Sequence, residues 1–233
     1  PRLVAARLID LSANRDGFIA DLSPAGRPGA MLVGSSPEVL VKRQGSTVSA
    51  FPLAGSSPRR ALAAEDHLAG QDLLHSSKDL HEHAFVVDHL RRALTPLCER
   101  LDIPDVPQLI STNEMWHLGT PISGTLKDKD LTALELALAV HPTPAICGTP
   151  AEAAQALIET AETDRGFYAG AVGWCDSSGD GEYMVAIRCA EVAGDGLSAR
   201  AWAGGGIVGD SDAQAELEET TAKLRTILKA LSL

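Results

Sequence analysis

What most constrains this chain is how short its apolar stretches are. Residues 3–9, 30–43, 48–54, 170–176, 183–192 and 197–203 are rich in Val, Leu, Ile and Ala, and Gly, Pro, Ser or Asp clusters interrupt or close each of them. Parallel strands need a crossover of about a dozen residues or more, whereas corners as tight as Ser35-Ser36-Pro37-Glu38 or Ser177-Ser178-Gly179-Asp180-Gly181 turn a strand back beside itself. Residues 3–9 therefore read as a strand. Residues 30–43 read as a hairpin whose second strand starts at Val39, 48–54 as a further strand closed by the loop Gly55-Ser56-Ser57-Pro58, and the last three runs as an antiparallel meander.

Between these runs apolar residues recur at helical spacing. Leu73, Leu74, Phe85, Val86, Leu90, Leu94 and Leu97 imply one long helix or two in sequence over 65–101, ended by Pro104 and Pro107. Further helices are expected over 130–140, 151–162 and 213–231, the last with Leu217, Leu224, Leu228 and Leu231 on one stripe. Hairpins with interspersed helices give an α+β fold, a large antiparallel β-sheet core with helices packed outside, as a single domain over 1–233. Pro1 is no initiator and no charged-then-apolar leader follows it, so the chain reads as a fragment lacking its N-terminal part.

Composition narrows the partners. With 20 Lys+Arg against 31 Asp+Glu the net charge is −11, which repels nucleic acid and anionic bilayers, and no run is long enough to span a membrane. Cys98, Cys147, Cys175 and Cys189 form no CxxC pair, which disfavours a disulfide framework or zinc knuckle and points to the cytoplasm. A small anionic ligand in so acidic a chain needs local cations or a bridging metal.

Several residues then stand out, each with an ordinary alternative. Glu216, Glu219, Thr220 and Lys223 share one helix face, fit either to coordinate a cation and receive an anion or to be a solvated surface. Gly204-Gly205-Gly206 lets backbone amides approach a ligand, or simply makes a tight turn. In Lys78-Asp79-Leu80-His81-Glu82-His83 the two histidines point apart on a helix, which excludes joint zinc binding and leaves Glu82 as a ligand with Asp79 beside it, or a polar face. Asp176 to Gly181 imitates a calcium loop, but Ile187 stands where the closing glutamate belongs, so it reads as a hairpin turn. Glu38 follows Pro37 at a corner, aimed into a cleft or on a surface turn. Arg188, in an apolar run, needs an anion, from a ligand or a structural partner. His117 and His141 are ligand donors or satisfied core histidines.

In order, Val33-Gly34-Ser35-Ser36-Pro37-Glu38, Pro52-Leu53-Ala54-Gly55-Ser56, Ser77 to His83, Trp116-His117-Leu118-Gly119-Thr120, His141-Pro142-Thr143-Pro144, Arg165 to Gly170, Ile187-Arg188-Cys189-Ala190, Ala203 to Val208 and Glu216 to Lys223 resemble the chorismate-utilising enzymes. The resemblance covers nearly the whole chain. The segment around Glu82 is most like that of isochorismate synthases of siderophore and menaquinone pathways, with salicylate synthases as near relatives.

The resemblance implies the anthranilate synthase component I-like fold and Mg²⁺ held by Glu82 and Glu219, with Glu216 helping through water. It implies chorismate as substrate, its enolpyruvyl carboxylate on Arg188 and Lys223 beside the Gly204, Gly205 and Gly206 amides, His117 alongside, and Glu38 as general acid. Several members act as monomers. The family's general-base lysine precedes its first apolar strand, where this chain has Arg2, a poor base. A helix of about four turns, expected between Leu11 and Phe18, looks nearly absent.

Overall fold

The structure, a computed structural model, describes residues 1–12 and 16–233. In chain order it has α1 (Arg2–Leu11), β1 (Gly17–Asp21), β2 (Met31–Ser35), β3 (Val39–Gln44), β4 (Thr47–Phe51), β5 (Leu53–Pro58), α2 (Ala63–His75), α3 (Ser77–Leu94), β6 (Cys98–Asp102), β7 (Gln108–Ser111), β8 (Met115–Gly119) and β9 (Ile122–Leu126). There follow α4 (Ala133–Val140), α5 (Pro144–Cys147), α6 (Ala151–Ala161), β10 (Ala171–Cys175), β11 (Gly181–Val185), β12 (Cys189–Val192), β13 (Ala199–Ala201) and α7 (Ala213–Leu231).

The α+β class holds, and the strands divide among three antiparallel sheets, ordered β1-β2-β12-β13, β10-β11-β3-β4-β9-β6 and β5-β8-β7. The six-stranded sheet packs against α3 and α4 through a core that includes Leu40, Val41, Val48, Leu90, Leu94, Leu126 and Leu136. Each such side chain taken fully out of water contributes about 1.5–3 kcal/mol.

Several sequence expectations are corrected. Residues 3–9 are helical, not a strand: Ala5 and Leu8 are buried with Val4 and Leu11 beside them, at the spacing of a helix face, and they pack on Val33, Ile227 and Ala230. Helix α1 thus packs against β1 and β2 of the first sheet; of the segment 11–18, where a longer helix was expected to be absent, residues 13–15 lie outside the described residues.

Residues 30–43 form no hairpin. Strand β2 pairs with β1 and β12 while β3 pairs with β4 and β11, so Ser35 to Glu38 carries the chain from one sheet into another. Of the one or two helices expected over 65–101, two form, parted at Ser76, whose side chain caps α3, but the second ends at Thr95-Pro96 rather than at Pro104, and residues 98–102 are β6. On α7 the buried residues are Glu216, Ala222, Ile227 and Ala230, while Leu217 and Leu228 are exposed, because the inward face is the one that carries Glu216, Glu219, Thr220 and Lys223 and continues into Ile227 and Ala230.

Candidate active site

The junctions between sheets build a cleft of about 790 Å³ including its mouth. The chain leaves the first sheet at Ser35 and enters the second at Val39, so Glu38 is buried at the seam, 3% exposed, rather than on a surface turn. It leaves the second at Phe51 and enters the third at Leu53, where β5 carries one extra residue against β8: Leu53 faces Gly119 but Ser56 faces His117. The bulge is possible because Gly55 has φ +77, and a Cβ there would lie 3.0 Å from Asp79 Cβ.

Arg188 also sits at a junction. The expected strand 183–192 breaks between Val185 and Cys189, and Arg188 takes φ +50, a left-handed conformation uncommon for a residue with a side chain. Its guanidinium is buried and donates to Nε2 of His117 at 3.1 Å. His117 therefore carries its proton on Nδ1. Burial, then the charges of Arg188 and Lys223, holds its pKa well below the ordinary value, so the ring is neutral. Burial also lowers Arg188 to about 10, which leaves it charged at neutral pH.

Burial pushes Glu38 from the ordinary 4.5 up to about 7, against the opposing effects of a backbone hydrogen bond from Leu53 and the charges of Lys223 and Arg188. A carboxyl so placed keeps its proton near neutrality and can donate it.

On the opposite wall three carboxylates meet the glycine loop between β13 and α7. A Cβ on Gly206 would overlap the Glu82 carboxylate, and one on Gly205 would lie 3.0 Å from Glu216 Oε2 and 3.4 Å from Glu219 Oε1. Burial and then the Glu219 charge raise the pKa of Glu82. Gly55 N–H donates to Glu82 at 3.4 Å and Ser56 Oγ–H to Glu219 at 2.8 Å. Lys223 Nζ bonds Glu219 at 2.5 Å and the Gly204 carbonyl at 3.1 Å, and Lys78 Nζ bonds Glu216 Oε1 at 2.8 Å. Glu216 Oε2 is buried without a protein partner. Mutually repelling carboxylates with an unpartnered oxygen suit a hard cation. Among the described residues no three His, Cys, Asp or Glu side chains close on one point, so part of any coordination sphere would come from ligand and water.

Of the residues singled out from sequence, Glu38, Glu82, His117, Arg188, Gly204, Gly205, Gly206 and Lys223 line this one cleft, with Glu216 and Glu219 against its glycine wall. Arg2 does not: it is exposed on the first turn of α1, and the strand that made it a candidate base is a helix. Asp79 holds the α3 N-terminus through Ser76, and His141 bonds the Ala169 carbonyl. Sequence reasoning missed Ser56 and Lys78 as partners of these carboxylates. Lys78 has a local signal, one helical turn before Glu82; the contact of Ser56 with α7 has none.

A family model described as chorismate binding enzyme matches residues 22–232. Isochorismate synthase DhbC of Bacillus subtilis is 50% identical over 217 residues, 92% of this chain and 54% of that protein. Among solved structures, DhbC from Bacillus anthracis superimposes with a TM-score of 0.95 at 44% identity, over 100% of this chain and 62% of that one. MenF, the menaquinone-specific isochorismate synthase from Escherichia coli, gives 0.82 at 27% identity, over 97% and 51%. The chain thus spans between half and two thirds of the length of these relatives. A family match over most of its length, on a fold shared from end to end, makes this chain a member of the chorismate-binding enzyme family.

Proposed function

We propose that the protein is an isochorismate synthase, which adds water at C2 of chorismate while the C4 hydroxyl leaves. The observation that carries this reading is the buried Glu38 carboxyl, with a pKa of about 7, facing the same cleft as Arg188 and Lys223. Expelling hydroxide from a ring carbon is difficult unless the oxygen is protonated as it departs. Glu38 supplies that proton. Arg188 and Lys223 hold the enolpyruvyl carboxylate beside the amides of Gly204, Gly205 and Gly206. Neutral His117 fixes the guanidinium through Nε2, which leaves its Nδ1–H to donate.

Glu82 and Glu219 would hold Mg²⁺, with Glu216 engaged through water, and the oxygen-only donor set supports this choice. When bound, the ion supplies positive charge for the ring carboxylate in an acidic chain. Arg188 and Lys223 in the cleft support a small anion as ligand, the net charge of −11 disfavours nucleic acid and anionic bilayers, and the four free cysteines support the cytoplasm, where the protein would act as a monomer; among the described residues no helix is long and apolar enough to cross a membrane. Neighbours described as 2,3-dihydroxybenzoate-specific and menaquinone-specific isochorismate synthases support either a siderophore or a menaquinone pathway.

A second reading, chorismate binding without turnover, is favoured by one observation. Arg2 is exposed on α1 away from the cleft lining, and His117 Nε2 accepts from Arg188, so neither is placed here to activate water. Incubating full-length protein with chorismate and Mg²⁺ and separating the products decides the matter. Isochorismate alone supports the proposal, salicylate with pyruvate makes the protein a salicylate synthase, and binding without product supports the second reading.

A further inference from the structure

The bulge in β5 touches three of the four carboxylates assigned to chemistry above, Glu38, Glu82 and Glu219. Leu53 gives Glu38 a backbone hydrogen bond, Gly55 N–H donates to Glu82, and Ser56 Oγ–H donates to Glu219. The residue between, Ala54, makes none of these bonds. Its carbonyl is instead the acceptor for Nδ1 of His83, at 3.1 Å.

His83 is one residue past Glu82 on α3 and is 3% exposed. A carbonyl only accepts, so Nδ1 carries the proton and Nε2 is the acceptor for the Thr120 hydroxyl, at 2.7 Å. Thr120 is buried just past β8, and its own N–H bonds the Pro52 carbonyl at 3.4 Å. One imidazole therefore bridges α3, the bulge and the end of β8. A bulged strand lacks regular ladder bonds at the extra residue, so its shape depends on partners from outside the sheet. Here that partner is His83.

We infer that His83 is a positioning residue: by clamping Ala54 against Thr120 it sets the bulge that orients Glu38, Glu82 and Glu219 together, so the acid and the cation-binding carboxylates share one support. The inference rests on the proposed roles of those three glutamates. It assigns His83 no contact with substrate.

Three substitutions in the full-length protein separate this from a generic core role. His83→Phe keeps ring bulk and removes both bonds, His83→Asn retains a donor at the Nδ1 position, and His83→Gln reaches only toward Thr120. Loss of such a supporting contact costs about 10- to 100-fold in metal affinity or activity. His83→Phe should raise the Mg²⁺ concentration for half-maximal turnover by that factor, His83→Asn should return it close to the wild-type value, and His83→Gln should not.

Amide exchange over residues 53–56, measured with neither substrate nor Mg²⁺, should quicken in the Phe and Gln variants and stay slow in Asn. If His83→Phe does not fold, Thr120→Val joins the Asn and Gln pair, with quickened exchange expected. Unchanged exchange over 53–56 in the variants that lose the Ala54 bond overturns the inference, whatever happens to turnover. A wild-type protein that leaves chorismate unchanged overturns the proposed function instead, and the exchange comparison still decides on the clamp.

Discussion

Glu38→Gln should make the protein more stable at pH 8 and nearly indifferent at pH 5, because the wild-type carboxyl is kept protonated by burial. Its pKa rises from 4.5 in the unfolded chain to about 7 in the fold. Each tenfold change in proton affinity is worth about 1.36 kcal/mol, so ionised Glu38 costs the folded state about 3 kcal/mol. For a carboxyl raised on folding, stability is highest below 4.5 and is lost as pH climbs toward 7. The loss is under about 1 kcal/mol at pH 5 and nearly complete by pH 8. Glutamine has no such titration, and any constant difference in its hydrogen bonding cancels between the two pH values. Urea unfolding of both proteins at pH 5, 6, 7 and 8 should show the variant gaining about 2–3 kcal/mol on wild type across the series. A stability difference that does not change with pH, or that favours wild type more at pH 8, would refute the reasoning.

Turnover of chorismate by the full-length protein should fall as pH rises through about 7, following deprotonation of Glu38, and Glu38→Gln should lose about 10²- to 10⁴-fold in kcat, read from initial rates. Glu82→Gln and Glu219→Gln should each abolish Mg²⁺-dependent turnover while circular dichroism and thermal unfolding show an intact fold, since like charges are removed from the cleft wall rather than packing from the core. Leu8→Ala should cost about 2–5 kcal/mol in denaturant unfolding, because a fully buried side chain of α1 is lost; a near-zero effect would count against α1 as a packed helix. Arg2→Ala should leave kcat and KM unchanged, and a large drop in kcat would restore Arg2 to the chemistry.

The parts legible in the sequence were those set by local periodicity. Helix α7 and its face of Glu216, Glu219, Thr220 and Lys223 follow from i, i+3, i+4 and i+7 spacing, and α4 and α6 from runs bounded by Thr132 and Pro150. Residues 3–9 were misread because six of the seven are apolar and satisfy a strand template, while the decisive spacing of Val4, Ala5, Leu8 and Leu11 repays burial only once α7 is in place. Which sheet a strand joins depends on hydrogen bonds to distant residues. Hence local sequence leaves Glu38 between a cleft and a surface turn, and it is buried because β2 and β3 go to different sheets. The same holds for Arg188, whose break in strand pairing has no local cue beyond a charge in an apolar run.

The exchange of oxygen between water and substrate tests the central claim most directly. Full-length protein incubated with chorismate and Mg²⁺ in ¹⁸O-labelled water should give isochorismate carrying one ¹⁸O, on the C2 hydroxyl, the original C4 oxygen having left as unlabelled water. Isochorismate without label at C2, or recovered chorismate with no product at all, would contradict the account.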